Sequence, residues 1–277
     1  MRREFVFLTS NNNKLVITAF GVENLTEAPC IIFVHGLKGF KDWGFGPYSG
    51  KFFAERKYFV ITFNFSHNGI GDNLTEFTEL DKFADNTFSL EISELSELID
   101  AYLGGYFGKT NIKEIGLIGH SRGAGIAILT ARKLRYIKAV ALWSSVSDFD
   151  RYSNRQKEEW KRRGSLEFLN TRTRQRMKIN KSLLEDIEEN GNDLLNILKS
   201  VNEFNRPLLI VHGEQDITVP VNEAKRLYES SDKNLTELFL IPQTGHTFNV
   251  QHPFDGSNDK FDSVLNKTYD FFQENFN

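Results

Sequence analysis

The chain has 277 residues, 40% of them hydrophobic, with 34 Lys or Arg against 37 Asp or Glu and a net charge of −3. That balance argues against nucleic acid as a partner, and the single cysteine, Cys30, excludes an intramolecular disulfide. No window reaches the roughly 18 apolar residues of a membrane span, and the amino-terminal stretch MRREFVFLTSNNNK has no apolar signal core; the expectation is a soluble, cytoplasmic protein with no membrane partner.

REFVFL and KLVITAF read as short strands joined by the turn-rich TSNNN. PCIIFVHG is a continuous apolar run, as in a strand buried on both faces, and Cys30 within it reads as a buried structural thiol. A helix is expected around GKFFAERK, then a second buried strand, YFVITFNF. Apolar residues in FSLEISELSELIDAYL recur near every 3.6 positions and predict an amphipathic helix. EIGLIG predicts a strand, GAGIAILTARKL a helix and IKAVALWSS a strand. From Asp150 to about Asn205 the chain is charged, glycine-poor and no longer alternates strand with helix. That shift predicts an inserted cap over 150–205 within a single domain, 1–277. Inside it, RYSNRQKEEWKRRG predicts a polar helix and SLEFLNTRTRQRMKI a hairpin. PLLIVHG and TELFLIP then predict strands, with helices at NEAKRLYES and FDSVLNKTYDFFQENF. Strands alternating with helices give an α/β fold, a mostly parallel sheet covered on both faces, with its chemistry in loops at the carboxyl ends of the strands.

One such loop, Gly119-His120-Ser121-Arg122-Gly123, has the G-x-S-x-G form of a nucleophile elbow. A sharp strand-to-helix turn forces its serine into a strained backbone conformation. Glycines at 119 and 123 remove side chains that would clash, and Gly125 is expected to relieve the same crowding. The bland alternative is a glycine-rich turn with a capping serine. A serine nucleophile needs a base, and the chain has six histidines. His246, in the loop of FLIPQTGHTF after the last strand, is the leading candidate and His252 the second. His35 and His212 end buried strands and read as structural, His120 is expected to point away from Ser121, and His67 lacks an evident orienting partner. A base needs an orienting carboxylate; Asp216 in LLIVHGEQDITVP leads, with Glu214 and Asp148 as rivals. Candidate oxyanion donors are the backbone N–H groups of Arg122 and of Leu37, in the loop after IIFVHG. That loop lacks G-x-x-x-x-G-K-[ST], which disfavours a nucleotide site.

Together HGLKGFKDWG, GHSRG, HGEQDITVP and TGHTF resemble the α/β-hydrolase superfamily. Within it the chain is similar to the serine aminopeptidase-like and cinnamoyl (feruloyl) esterase-like branch, with some dienelactone hydrolase character. The resemblance implies an α/β-hydrolase fold with a central, mostly parallel eight-stranded sheet, and a serine triad using neither metal nor cofactor. It puts the nucleophile on Ser121, the acid on Asp216, the base on His246 and the oxyanion amides on Leu37 and Arg122. The implied reaction is hydrolysis of a small-molecule carboxylic ester through an acyl-enzyme. An aminopeptidase or amidase and an acyl-CoA thioesterase use the same residues, and a ligand-binding protein on a hydrolase fold is the non-enzymatic alternative. A haloalkane dehalogenase is disfavoured because it would carry an aspartate at position 121.

Candidate substrate contacts are Phe40 and Trp43 in the oxyanion loop and Tyr152 and Trp160 in the cap. From Arg151 to Lys181 there are eleven Lys or Arg and three Asp or Glu. Arg172, Arg174, Arg176 and Lys178 alternate, so a strand through them would present all four on one face. Such a face is either solvated or attracts anionic substrates.

Overall fold

The computed structural model describes residues 1–73 and 76–276. Its main sheet has eight strands: β1 (Arg2–Leu8), β2 (Lys14–Phe20), β3 (Cys30–Val34), β4 (Phe59–Asn64), β5 (Ile115–His120), β6 (Ile137–Trp143), β9 (Leu208–Gly213) and β10 (Thr236–Ile241). The spatial order is β1-β2-β4-β3-β5-β6-β9-β10. The β1–β2 hairpin and the β2–β4 pairing are antiparallel; every other pairing is parallel. The separate antiparallel hairpin of β7 (Ser165–Asn170) and β8 (Gln175–Asn180) belongs to the segment between β6 and β9.

The apolar runs form central strands because both faces of this sheet are covered. Along β3, Cys30, Ile32 and Val34 pack on one side while Ile31 and Phe33 pack on the other, the period-two alternation of a strand. The first side is covered by α3 (Phe88–Leu103), α4 (Arg122–Lys133) and α8 (Asn222–Ser230), the second by α1 (Gly46–Glu55) and α9 (Asp259–Asn275). The α3 boundaries match the periodic run; Thr87 caps its amino end by accepting the Leu90 N–H at 3.2 Å. Helix α1 starts upstream of the expected stretch because Pro47 in its first turn presets a helical φ. The short helix α2 (Leu80–Asp85) was not expected from periodicity.

The 150–205 segment folds as α5 (Asn154–Arg163), the β7–β8 hairpin, α6 (Lys181–Asn190) and α7 (Ile197–Glu203). A capping box closes the start of α5: Ser153 Oγ accepts the Gln156 N–H, and Gln156 Oε1 accepts the Ser153 N–H. The four alternating cations do not share a strand face. Arg172 and Arg174 lie in the hairpin turn, Arg174 at φ 57°, and only Arg176 and Lys178 are in β8. Among the described residues, no helix is long and apolar enough to cross a membrane.

Arg206, just before β9, closes the carboxyl end of α4. Its guanidinium donates to the carbonyls of Ala131 (2.5 Å), Leu134 (2.7 Å) and Ile137 (2.5 Å). Ala131 and Leu134 are at the end of α4, where carbonyls run out of intrahelical donors, and Ile137 opens β6. Replacing Arg206 with Met should cost about 2 kcal/mol, the usual worth of charged hydrogen bonds. Urea unfolding checks this, and a change below about 0.5 kcal/mol, the range of an ordinary surface substitution, would contradict it.

Candidate active site

Chain direction across the sheet reverses at β3: β4 lies on one side of it and β5 on the other. Such a switch point opens a crevice at the carboxyl ends of the two strands. Leu37 follows β3 there and Ser121 follows β5.

Ser121 sits at φ 59°, ψ −123°, a conformation rarely adopted by residues other than glycine. Its N–H donates to the Trp143 carbonyl at 2.8 Å, which fixes the turn against β6. The turn is sharp enough that flanking side chains do not fit. A Cβ on Gly119 would lie 2.4 Å from the Ala124 Cα, and one on Gly123 would lie 2.3 Å from the His35 carbonyl oxygen. Gly36 is equally close from the other side: its Cβ would meet the Ser121 Cβ and the His120 carbonyl, each at 2.9 Å. Gly125 does something different from the expected role. It leaves room for Phe149 and Ile197 to pack onto α4.

His246 and Asp216 reach Ser121 from the loops after β10 and β9. His246 Nε2 is 2.9 Å from Ser121 Oγ, and His246 Nδ1 is 2.7 Å from Asp216 Oδ2. The other Asp216 oxygen accepts the N–H groups of Thr218 and Val219, both at 2.8 Å. Burial alone would push the Asp216 carboxyl up. Hydrogen bonds from His212, His246 and the Val219 amide outweigh it and hold the group well below the usual carboxylate range. Neither rival acid bonds His246: Glu214 is exposed, and Asp148, which lines the cavity that opens over Ser121, is exposed with Oδ1 accepting the Asp150 N–H at 2.8 Å. His252, the second candidate base, accepts the Gly44 N–H at 3.0 Å and stacks on Trp43.

The remaining histidines are structural, each in its own way. His35 accepts the Phe65 N–H and donates to the Gly36 carbonyl, and burial lowers its pKa to about 4. His212 donates to the Val219 carbonyl at 2.8 Å. His67 has a partner after all, Ser66 Oγ at 2.6 Å. His120 points away from the Ser121 side chain but bonds through Nε2 to the His246 carbonyl at 3.0 Å. Burial, then the neighbouring His246, pushes its pKa down to about 3, so the ring is neutral and Nε2–H is the donor. It thereby holds the loop that carries His246.

The backbone N–H groups of Leu37 and Arg122 have no acceptor among the described residues. The loop that carries Leu37 is anchored by Lys41, which is 1% exposed. Its N–H donates to Asn64 Oδ1 at 2.7 Å and its ammonium to Thr18 Oγ1 at 2.8 Å and Asp42 Oδ2 at 2.6 Å.

A cavity of about 590 Å³ opens over Ser121 and His246. Phe40, Trp43 and Tyr152 line it, as do Lys38, Phe149, Asn170 and Arg172. Trp160 is the exception among the expected contacts. Its indole is fully buried, donates to the Ile179 carbonyl at 3.0 Å and supports Tyr152 edge-on from behind.

The Arg122 side chain turns away from Ser121 and pairs with Glu91 Oε1 at 2.5 Å. Glu91 is fully buried on the apolar face of α3, where Asn86 also bonds it at 2.7 Å. Burial raises its pKa, and the Arg122 charge opposes that rise. Glu91 falls in step with Phe88, Ile92 and Leu95, so an acid on an apolar helix face was the available signal. Breaking a buried pair strands a charge. Glu91→Gln and Arg122→Met should each cost about 3 kcal/mol, and the double variant should cost at least about 1 kcal/mol less than their sum. Urea titrations of the four proteins test this; strict additivity would mean the pair is not coupled.

With that geometry in place, the chain can be compared with known proteins. Residues 89–277 match the model of the prolyl oligopeptidase family. No curated protein matches the chain. Among solved structures, it is similar to a putative hydrolase from Agrobacterium vitis S4, with 17% identity, 98% of each chain covered and a TM-score of 0.74. It is similar to Est1E from Butyrivibrio proteoclasticus with ferulic acid bound, with 18% identity, 98% of each chain covered and a TM-score of 0.73. It is also similar to the Pyrococcus furiosus esterase Pf2001, with 19% identity, 100% of this chain and 92% of that one covered, and a TM-score of 0.64. Those likenesses concern the fold; the family match spans the elbow, the β9 and β10 loops and α9, and the chain belongs to the prolyl oligopeptidase family, on an α/β-hydrolase fold.

Proposed function

We propose that the protein is a serine hydrolase that cleaves carboxylic esters through an acyl-enzyme on Ser121. The observation that carries this reading is the unbroken line Ser121 Oγ–His246–Asp216, at 2.9 and 2.7 Å, at the floor of a cavity. Ser121 attacks the ester carbonyl while His246 Nε2 takes its proton. Asp216 accepts from Nδ1–H, fixing the tautomer and stabilising the imidazolium. The Leu37 and Arg122 amides receive the developing oxyanion, each donor being worth about 3–4 kcal/mol in the transition state. His246 then protonates the leaving alkoxide. Water repeats the sequence, with its proton going to His246, and releases the acid and free Ser121.

The 150–205 segment acts as a cap within one hydrolase domain. Tyr152, Asn170 and Arg172 from it line the cavity, Arg172 lying against the loop after β3. Esterases among the structural neighbours, one with ferulic acid bound, are compatible with an ester substrate. Membership of the prolyl oligopeptidase family favours one second reading, a peptidase or amidase using the same three residues.

The test is hydrolysis of neutral 4-nitrophenyl esters and aminoacyl 4-nitroanilides in parallel. Ser121→Ala should lose at least about 10³-fold in kcat and Asp216→Asn about 10⁴-fold, both with near wild-type thermal midpoints. Ester kcat/KM should exceed anilide kcat/KM. Ser121→Ala within tenfold of wild type would remove Ser121 from catalysis, and the reverse substrate preference would favour the peptidase.

A further inference from the structure

One wall of the cavity carries charge that ester hydrolysis does not use. Lys38 directly follows Leu37, at φ 58°, with its ammonium 5.9 Å from the Phe168 ring centroid. Arg172, at the exposed turn of the β7–β8 hairpin, lies over Phe40 and Phe77 at 5.6 and 5.7 Å and donates to the Lys38 carbonyl at 3.4 Å. Both line the cavity with Ser121. Neither has a carboxylate partner among the described residues, unlike Arg122, which Glu91 neutralises. Burial, then the nearby Arg172, lowers the Lys38 pKa, and burial lowers that of Arg172, as for cations without a counter-charge.

A third donor adds to them. Asn170, 2% exposed and also lining the cavity, accepts the Arg172 N–H on its Oδ1 at 3.3 Å, while its Nδ2 has no partner among the described residues. A buried unpaired donor beside two unpaired cations is an unmet demand for an anionic acceptor. Its side of the site follows from the sheet. The β3 loop lies across β5 from the β9 and β10 loops that carry Asp216 and His246. His246 delivers its proton to the leaving alcohol, so the opposite side borders the acyl group.

Resting on the ester hydrolase reading, we propose that Lys38, Arg172 and Asn170 form an anion subsite that selects esters whose acyl chain ends in a carboxylate. A bidentate guanidinium contact, an ammonium and a neutral amide donor suit that group, and the rings of Phe40 and Phe77 hold the guanidinium in place.

The experiment compares 4-nitrophenyl monoesters of glutaric and adipic acid with the neutral pentanoate and hexanoate. At low salt the wild-type kcat/KM should favour the anionic esters by about tenfold, a charge-assisted bond's worth, mainly through KM, and the preference should shrink as salt rises. Arg172→Gln and Lys38→Gln should each bring the anionic-to-neutral ratio toward one. Arg174→Gln, in the same turn but outside the cavity lining, should keep it. A merely structural role would depress both ester classes together and leave the ratio alone. A wild-type ratio at or below one, or a ratio unmoved by both glutamine variants, overturns the subsite.

Calorimetric binding of the glutarate and pentanoate esters to Ser121→Ala separates this inference from the reading it rests on. Tighter binding of the glutarate ester, with no turnover of any ester by wild type, would keep the subsite and remove the hydrolase. Equal binding would remove the subsite whatever the turnover.

Discussion

The line Asp216–His246–Ser121 joins three loops that are up to 125 residues apart in sequence. Each end of it is held by backbone rather than by long side chains. The elbow fixes Ser121 at a positive φ, and the Thr218 and Val219 amides fix Asp216. His246 is held between them by two hydrogen bonds and by His120 at its carbonyl. A site built this way loses little conformational entropy when the imidazole becomes charged, because its partners already point at it.

The elbow in turn rests on buried polar groups of α3 and the β3 loop. Glu91 neutralises the Arg122 guanidinium beside the elbow, while the Arg122 amide has no acceptor among the described residues. One turn along α3, Glu94 accepts from the Ser66 N–H at 3.0 Å and from its hydroxyl. Burial lifts the Glu94 pKa to about 7, with the Ser66 bonds opposing the rise. Lys41 ties the β3 loop to Thr18 and Asn64 on β2 and β4. Charges so placed are costly to desolvate and cost more still if a partner is lost. They define one register for the loops above them.

Much of this was legible in the sequence. The central strands announce themselves as continuous apolar runs, because a sheet covered on both faces has no polar side to display. Ser121, His246 and Asp216 are legible for a related reason: each follows a strand at the carboxyl edge, where a parallel sheet places its strand-to-helix loops. What stayed hidden depends on side-chain direction across long sequence separations. Trp160 reads like Tyr152 in the helix sequence, yet one faces the interior and the other the cavity. Arg172 reads as one of an alternating set, but the hairpin turn begins before it and redirects it over Phe40. His120 gains its partner, the His246 carbonyl, only when distant loops meet.

The central claim is that this hydrogen-bonded line makes Ser121 a nucleophile. Reaction with a fluorophosphonate followed by peptide mass mapping tests it most directly, since the probe needs an activated hydroxyl but no particular substrate. The account predicts one equivalent of label, on the peptide containing Ser121, with labelling slowed by at least two orders of magnitude in His246→Ala, about the scale of general-base assistance. Ester turnover by a protein that takes up no label, or label carried on another residue, would contradict it.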